Sequence, residues 1–145
     1  MSSPGQSSNI QANSGALEPP RISIVDDDES VREAIRSLLR SVGLCADVFA
    51  SAEEFLNSAA LENSACVILD VRMPGMSGLE LQARLVAAEC KVPLIFITAH
   101  ASDTEARARA LQAGAVDFLF KPFKEEVLLK HVYGAIEAGG GRCDG

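Results

Sequence analysis

The sequence predicts an α/β fold of the doubly wound type, in which helices cover both faces of a five-stranded parallel sheet. Five short apolar runs recur along the chain, and most are continuous rather than alternating, as is typical of strands buried on both faces. Segments with helical spacing of apolar residues lie between these runs. Strands that alternate with helices form parallel sheets, and for five strands the flavodoxin-like order 2-1-3-4-5 is the common one.

Each strand is predicted from a run of apolar residues of strand length. The predicted strands are Ile22–Val25, Cys45–Phe49, Val67–Leu69, Leu94–Ile97 and Val116–Phe120. The first and last helices are marked by apolar residues that recur every three or four positions. These residues are Val31, Ile35, Leu38, Leu39 and Val42 in the first helix, and Val127, Leu128, Val132 and Ile136 in the last.

Helix boundaries are indicated by pairs of residues that can cap free backbone groups. A Ser followed three positions later by Glu can form a capping box, in which each side chain accepts a hydrogen bond from a free backbone N–H group. Four such pairs precede predicted helices: Ser30–Glu33, Ser51–Glu54, Ser77–Glu80 and Ser102–Glu105. Gly43 and Gly114 are predicted to end the first and fourth helices, because glycine favours the backbone conformation that follows a helix.

Composition restricts the class of protein. A chain of 145 residues, 48% of them hydrophobic, fits one domain with a sizeable core. A net charge of −7 argues against nucleic-acid binding by this domain, because phosphate contacts need clustered Lys and Arg. No apolar run approaches the roughly 20 residues that span a bilayer, and the N-terminus has no secretory pattern. We therefore predict a cytoplasmic protein that does not bind membranes.

The two ends of the chain differ in composition from its centre. Residues 1–19 are rich in Ser, Asn, Gln, Gly and Pro, which predicts a disordered N-terminal tail. Residues 139–145 are rich in Gly, which predicts a flexible C-terminal tail or the start of a linker. The folded domain is therefore predicted at 20–138.

Polar side chains stand where four of the predicted strands end. The first strand runs into Asp26–Asp28, the third into Asp70, the fourth into Thr98 and the fifth into Lys121. In doubly wound sheets, ligands bind beyond the carboxyl ends of the strands, near the switch point between strands 1 and 3. The second strand lies at the sheet edge in this order and ends in Phe49, which offers nothing reactive.

These residue types indicate phosphoryl transfer. Two carboxylates about 4 Å apart repel by roughly 1 kcal/mol in water and about 4 kcal/mol at an effective dielectric constant of 20. Asp26, Asp27 and Asp70 therefore need a cation or must take up protons, and Mg²⁺ accepts oxygen ligands and favours sites shared with phosphate. Lys121 adds positive charge and Thr98 a hydroxyl. A carboxylate can itself be the nucleophile and form an aspartyl phosphate.

Taken singly, these residues have ordinary structural explanations. Acidic residues such as Asp26–Asp28 are common before helices because they suit the positive helix end. Thr98 could be a strand-end or capping residue, and Lys121 a surface lysine whose stem covers apolar surface. Asp70 is harder to explain in this way, because an apolar strand leads directly into it. The placement of all of them at one sheet edge favours a functional site.

Four segments, in their order and spacing, resemble the receiver domains of bacterial two-component response regulators, and FixJ-like receivers in particular. The resemblance covers about residues 21–138. The segments are IleValAspAspAsp (24–28), LeuAspValArgMetProGlyMetSerGly (69–78), IleThrAlaHis (97–100) and AlaGlyAlaValAspPheLeuPheLysProPhe (113–123).

The resemblance implies a role for each matching residue. Asp70 would accept a phosphoryl group from a sensor histidine kinase or a phosphotransfer protein. Asp26, Asp27 and Asp70 would bind Mg²⁺ together with the backbone carbonyl of Arg72, Asp27 directly and Asp26 mainly through bound water. Thr98 would donate a hydrogen bond to the phosphoryl group, and Lys121 would form an ion pair with it. Phe118 would be the aromatic switch residue. The Lys121–Pro122 bond would be cis, and Gly78 would allow a tight turn.

The output that the resemblance implies is a changed surface rather than a reaction product. Phosphorylation would alter the fourth helix, the fifth strand and the fifth helix, for control of an output domain, a partner or a homodimer. The fourth helix suits such a shift, because residues 105–113 hold many Ala and few large apolar side chains. With the hydroxyl of Thr98 drawn to the phosphate, Phe118 could turn inward. The domain would be a signalling phosphoacceptor and not a turnover enzyme.

Two other functions remain open at this point. A phosphatase of the haloacid-dehalogenase type would use Asp26 as the nucleophile of an Asp-x-Asp pair completed by Asp28. Against it, no acidic pair follows Lys121 at another strand end, and no cap insertion is present. A phosphate-independent interaction module of the same fold is the third possibility, and loss of the acceptor, the acidic pair or the lysine would favour it; all are present.

Overall fold

A computed structural model describes residues 19–138 as five strands and six helices. The predicted N-terminal tail, except residue 19, and the predicted C-terminal tail lie outside these residues. The strands are β1 (Arg21–Val25), β2 (Cys45–Phe49), β3 (Cys66–Asp70), β4 (Leu94–Thr98) and β5 (Asp117–Phe120). The helices are α1 (Glu29–Ser41), α2 (Ala52–Leu56), α3 (Ala60–Asn63), α4 (Gly78–Ala87), α5 (Thr104–Gln112) and α6 (Glu125–Glu137).

The sheet has the predicted topology. Its strands lie in the order β2-β1-β3-β4-β5, and every neighbouring pair is parallel. The prediction of a 2-1-3-4-5 doubly wound sheet is therefore confirmed. All residues of β3 and β4 are buried, which explains why their sequences are continuous apolar runs.

The second helical segment is divided into two short helices, α2 and α3. The Ser58 hydroxyl donates to the carbonyl of Phe55 and accepts a hydrogen bond from the N–H group of Ala60. One side chain thus satisfies backbone groups of both helices at their junction. Because of this division, the fourth and fifth predicted helices are α5 and α6.

The predicted caps are only partly correct. Ser77 and Glu80 form the complete capping box, and Ser51 caps α2 with its hydroxyl. Ser30 and Ser102 are not caps, because an aspartate takes the position in each case. Asp28 is the N-cap of α1 and accepts from the N–H group of Ser30. Asp103 is the N-cap residue of α5, and its side chain has other partners.

Two apolar clusters fill the space between the sheet and the helices on its two faces. Phe55, Phe96 and Leu81 belong to one cluster, and Ile24, Ile68 and Leu128 to the other. Both predicted glycine stops are confirmed, and each glycine has a positive φ angle. Within residues 19–138, no helix is both long and apolar enough to cross a membrane.

Gly78 fixes the distance between the end of β3 and the start of α4. Its N–H group donates to the carbonyl of Val71 at 2.9 Å. A Cβ atom at this position would lie 2.2 Å from the carbonyl oxygen of Asp70 and 3.2 Å from the ring of Phe96. Only glycine therefore allows the helix to begin this close to the end of the strand.

Gly78→Ala should lower the free energy of unfolding by at least about 2 kcal/mol, because the added methyl group meets backbone that cannot move freely. Gly134→Ala is the matched control. Nothing lies within 4 Å of a Cβ atom at Gly134 in the middle of α6. That change should raise stability by about 0.5–1 kcal/mol through helix propensity. Urea unfolding measures both, and equal effects would contradict the steric explanation.

Candidate functional site

Three carboxylates meet where β1 and β3 end. Val25 pairs with Leu69 across the two strands, so the residues that follow them emerge side by side. Each of Asp26, Asp27 and Asp70 offers an oxygen atom, and these atoms lie within 4.8 Å of one another. The structure thus brings together the acidic residues that the sequence placed at the switch point.

Asp26 is completely buried, and each of its carboxylate oxygens has a partner. Oδ1 accepts from the N–H group of Asp28 at 2.8 Å, and Oδ2 accepts from the Lys121 ammonium group at 3.1 Å. The N–H group of Lys121 donates to the carbonyl of Thr98 at 2.7 Å, which holds the lysine beside the end of β4. The Lys121–Pro122 bond is cis, as the resemblance implied.

The surroundings of Asp70 favour its protonated form. Burial is the main cause, and the neighbouring charge of Asp26 adds to it, while Lys121 acts in the opposite direction. Together they raise the pKa of Asp70 to about 7. A cation bound between the carboxylates would favour the ionised form.

The donor set fits a magnesium ion. Carboxylate oxygens are hard ligands, and three of them at this spacing can share one small cation. Asp27 is exposed while Asp26 and Asp70 are buried, so one side of the cluster is open to solvent and substrate. Such openness suits Mg²⁺, which keeps several waters and binds together with phosphate.

The Thr98 hydroxyl has a partner that the sequence analysis missed. Thr98 is completely buried, and its Oγ1 donates to the carboxylate of Asp103 at 2.8 Å. The same oxygen accepts from the N–H group of His100 at 3.1 Å. Asp103 also binds the Arg72 guanidinium through two hydrogen bonds, one of them 3.1 Å from Nε to Oδ2. These contacts, that of Arg72 foremost, lower the pKa of Asp103.

The sequence contained a signal for this contact that went unused. Asp103 directly follows Ser102, and an aspartate at a helix start can bind partners other than the helix N–H groups. The resemblance implies a role for the backbone carbonyl of Arg72 and none for its side chain.

The Phe118 ring packs against two other aromatic rings. Its side chain is already buried and stacks on Phe96, with ring centroids 5.9 Å apart. It also contacts Phe120 at a centroid distance of 5.4 Å. The inward turn of this ring after Thr98 moves stays a prediction.

Comparison with known proteins places this site in a family. A family model described as the response regulator receiver domain matches residues 22–133. The chain belongs to the response regulator receiver family. It is therefore a receiver domain of the two-component type, and neither the phosphatase nor a module unrelated to phosphorylation is favoured.

Individual relatives agree with the assignment. The chain is 42% identical over 133 residues to Nodulation protein W of Bradyrhizobium diazoefficiens, covering 92% of this chain and 56% of the relative. It is 47% identical over 116 residues to the response regulator protein TodT of Pseudomonas putida, covering 80% and 51%. The chain thus spans about half the length of these curated relatives.

A solved structure has the same fold and bears out the likeness to FixJ. The crystal structure of FixJ-N matches with a TM-score of 0.74 and 36% sequence identity, and the match covers 83% of this chain and 96% of that one.

Asp70→Asn should stabilise the metal-free protein, and increasingly so as the pH rises. The folded protein keeps the Asp70 proton up to a pH of about 7, whereas the unfolded chain loses it near 3.9. The wild type therefore loses stability relative to the variant between these two values, by up to about 1.4 kcal/mol per pH unit. Urea unfolding of both proteins in chelator measures the difference, and a difference independent of pH would contradict this account.

Proposed function

We propose that Asp70 accepts a phosphoryl group, with Mg²⁺ held by Asp26, Asp27, Asp70 and the backbone carbonyl of Arg72. The observation that supports this most directly is the group of three carboxylate oxygens within 4.8 Å of one another, beside the Lys121 ammonium group. The phosphoryl donor would be a sensor histidine kinase or a phosphotransfer protein, in keeping with the family. Such a domain acts as a signalling phosphoacceptor, and the only reactions it promotes are its own phosphorylation and dephosphorylation.

Transfer requires Asp70 as a carboxylate. One of its oxygens attacks the phosphorus atom, the bond from phosphorus to the donor breaks, and the donor leaves with the electron pair. Magnesium bound at the cluster would neutralise charge on the carboxylates and on the phosphoryl oxygens. Asp26 holds Lys121 at 3.1 Å, so the ammonium group is already near the place where negative charge develops.

After transfer, the phosphoryl group presents new acceptor oxygens to nearby donors. The hydroxyl of Thr98 ends β4, next to β3, and is the donor that the resemblance assigns to this role. Lys121 would form the ion pair. A nearly complete switch, from about 1:99 to 99:1, needs roughly 5.5 kcal/mol of differential stabilisation, and two charge-assisted contacts supply a large part of it.

The changed surface would be formed by α5, β5 and α6. Within α5, Ala110 is the one buried residue, so little packing energy opposes a shift of this helix. The neighbouring surface exposes apolar side chains at Val116, Val127 and Tyr133. This surface is suited to a homodimer partner or to an output domain. An output domain is a plausible partner because the relatives are about twice as long as the matched region. We place this domain in the cytoplasm, in keeping with a sensor kinase as its phosphoryl donor.

Incubation with acetyl phosphate or phosphoramidate and Mg²⁺ should add one phosphoryl group, detected by intact-mass spectrometry. Asp70→Asn should abolish the addition, because it removes the nucleophile. Excess chelator, or Asp27→Ala, should reduce it strongly. Asp47→Asn is the matched control, since Asp47 pairs with Arg21 away from the cluster and its loss should not affect labelling.

Two results would overturn the assignment. Unchanged labelling of Asp70→Asn would exclude this residue as the acceptor. Phosphate mapped to the peptide that contains Asp26, together with steady turnover of a small phosphoester, would favour the phosphatase instead.

Addition of beryllofluoride with Mg²⁺ should shift NMR signals across residues 98–125, because the switch surface lies there. Thr98→Ala should weaken the shifts in α5 and β5 while the shifts next to Asp70 remain. Shifts confined to the neighbours of Asp70 in the wild type would show that the surface does not respond.

A further inference from the structure

The carboxylate of Asp103 joins two residues that stand on either side of the phosphoacceptor site. It is 7% exposed, and it accepts hydrogen bonds from the Thr98 hydroxyl and from the Arg72 guanidinium. Thr98 ends β4, and Arg72 lies two residues after Asp70. One buried side chain thus connects both flanks of the site.

The Thr98 hydroxyl can donate only one hydrogen bond. A threonine has a single O–H proton, and in this structure the proton is directed at Asp103, 2.8 Å away. A phosphoryl group on Asp70 would need the same proton. Asp103 and the phosphoryl group are therefore competing acceptors for one donor.

The position of Asp103 connects this competition to the movable helix. Asp103 is the N-cap residue of α5, yet its carboxylate does not cap the helix and is used for Thr98 and Arg72 instead. Farther along the helix, the buried Gln82 side chain donates to the carbonyl of Ala110 at 2.9 Å. The start of α5 is consequently held by the Asp103 contacts, and its last turn by Gln82.

We propose that Asp103 is a positioning residue that holds the Thr98 hydroxyl away from the phosphoacceptor site and so sets the cost of switching. This inference rests on the proposed function and adds to it the group that phosphorylation must displace. When Thr98 turns to the phosphoryl group, Asp103 keeps its two hydrogen bonds from Arg72. The exchange thus breaks one contact and leaves no buried carboxylate without a partner. Release of Thr98 also removes one of the contacts that hold the start of α5.

A purely structural role makes a different prediction. If Asp103 only braces the loop between β4 and α5, its removal lowers stability without improving the binding of a phosphoryl mimic. If it competes for Thr98, its removal makes the mimic bind more tightly. Binding affinity, measured separately from stability, therefore separates the two roles.

The test is an NMR titration of the full chain with beryllofluoride at fixed Mg²⁺. Asp103→Ala should tighten apparent binding about fivefold to tenfold, because the competing acceptor is gone. Loss of a negative charge near an anion also tightens binding, and Asp103→Asn controls for it. The asparagine removes the charge but keeps an oxygen that accepts from Thr98, so its affinity should lie between those of the wild type and Asp103→Ala.

A second background isolates the hydroxyl. Thr98→Val has nearly the same shape as threonine but no proton to donate. In this background, Asp103→Ala and Asp103→Asn should bind beryllofluoride with equal affinity. Urea unfolding of each variant tests whether it is folded. If Asp103→Ala is not folded, the less disruptive Asp103→Asn is used in its place.

The outcomes are distinct. If the wild type does not bind beryllofluoride, the proposed function is wrong and this inference falls with it. If the wild type binds, the inference alone is overturned by either of two results. One is an affinity of Asp103→Ala no higher than that of Asp103→Asn; the other is a difference between them that persists in Thr98→Val. Where Asp103→Ala does not fold, Asp103→Asn with affinity no higher than the wild type also overturns it.

Discussion

The topology of the sheet places three negative charges close together at one of its edges, and the site depends on how their repulsion is offset. A parallel doubly wound sheet brings the carboxyl ends of β1 and β3 together, and in this chain Asp26 and Asp27 directly follow β1 while Asp70 ends β3. Three carboxylate oxygens therefore lie within 4.8 Å of one another, two of them on buried residues. Lys121 offsets part of the repulsion through Asp26, and burial with the remaining charge raises the pKa of Asp70 to about 7. Without a cation, the site is thus electrostatically unfavourable, and a cation bound between the carboxylates would stabilise it.

The parts of the site that follow from topology are those that the sequence predicted well. Apolar runs predict where the strands lie, and the alternation of strands with helices predicts that they are parallel. The residue after each run must then lie at the same edge of the sheet. Asp26, Asp70, Thr98 and Lys121 could be placed on that basis alone, because a strand end leaves little freedom in direction. Gly78 was placed in a tight turn, and the carbonyl of Asp70, 2.2 Å from a Cβ atom there, supplies the physical reason.

The parts that failed depend on which of several adjacent polar groups takes which partner. Ser30 and Ser102 satisfied a capping pattern, but Asp28 and Asp103 are the N-cap residues. Spacing cannot distinguish candidates that lie one or two positions apart, because the choice depends on the contacts that each side chain makes in the folded protein. Asp103 shows this clearly, since its partner Arg72 is 31 positions away. The contacts of Phe118 depend in the same way on packing between segments, here against Phe96 and Phe120.

Together these contacts suggest how a small charge change can move a helix. A hydroxyl with one proton can have only one of two states, bound to Asp103 or bound to a phosphoryl group, so its response is discrete. In the proposed switch, the first step is at the Thr98 hydroxyl, because Asp103 and the phosphoryl group compete for its one proton. The helix that follows Asp103 has a single buried residue, Ala110, and therefore resists displacement weakly. In the proposed switch, the exchange of one hydrogen bond would therefore meet less opposition from packing than it would at a deeply packed helix.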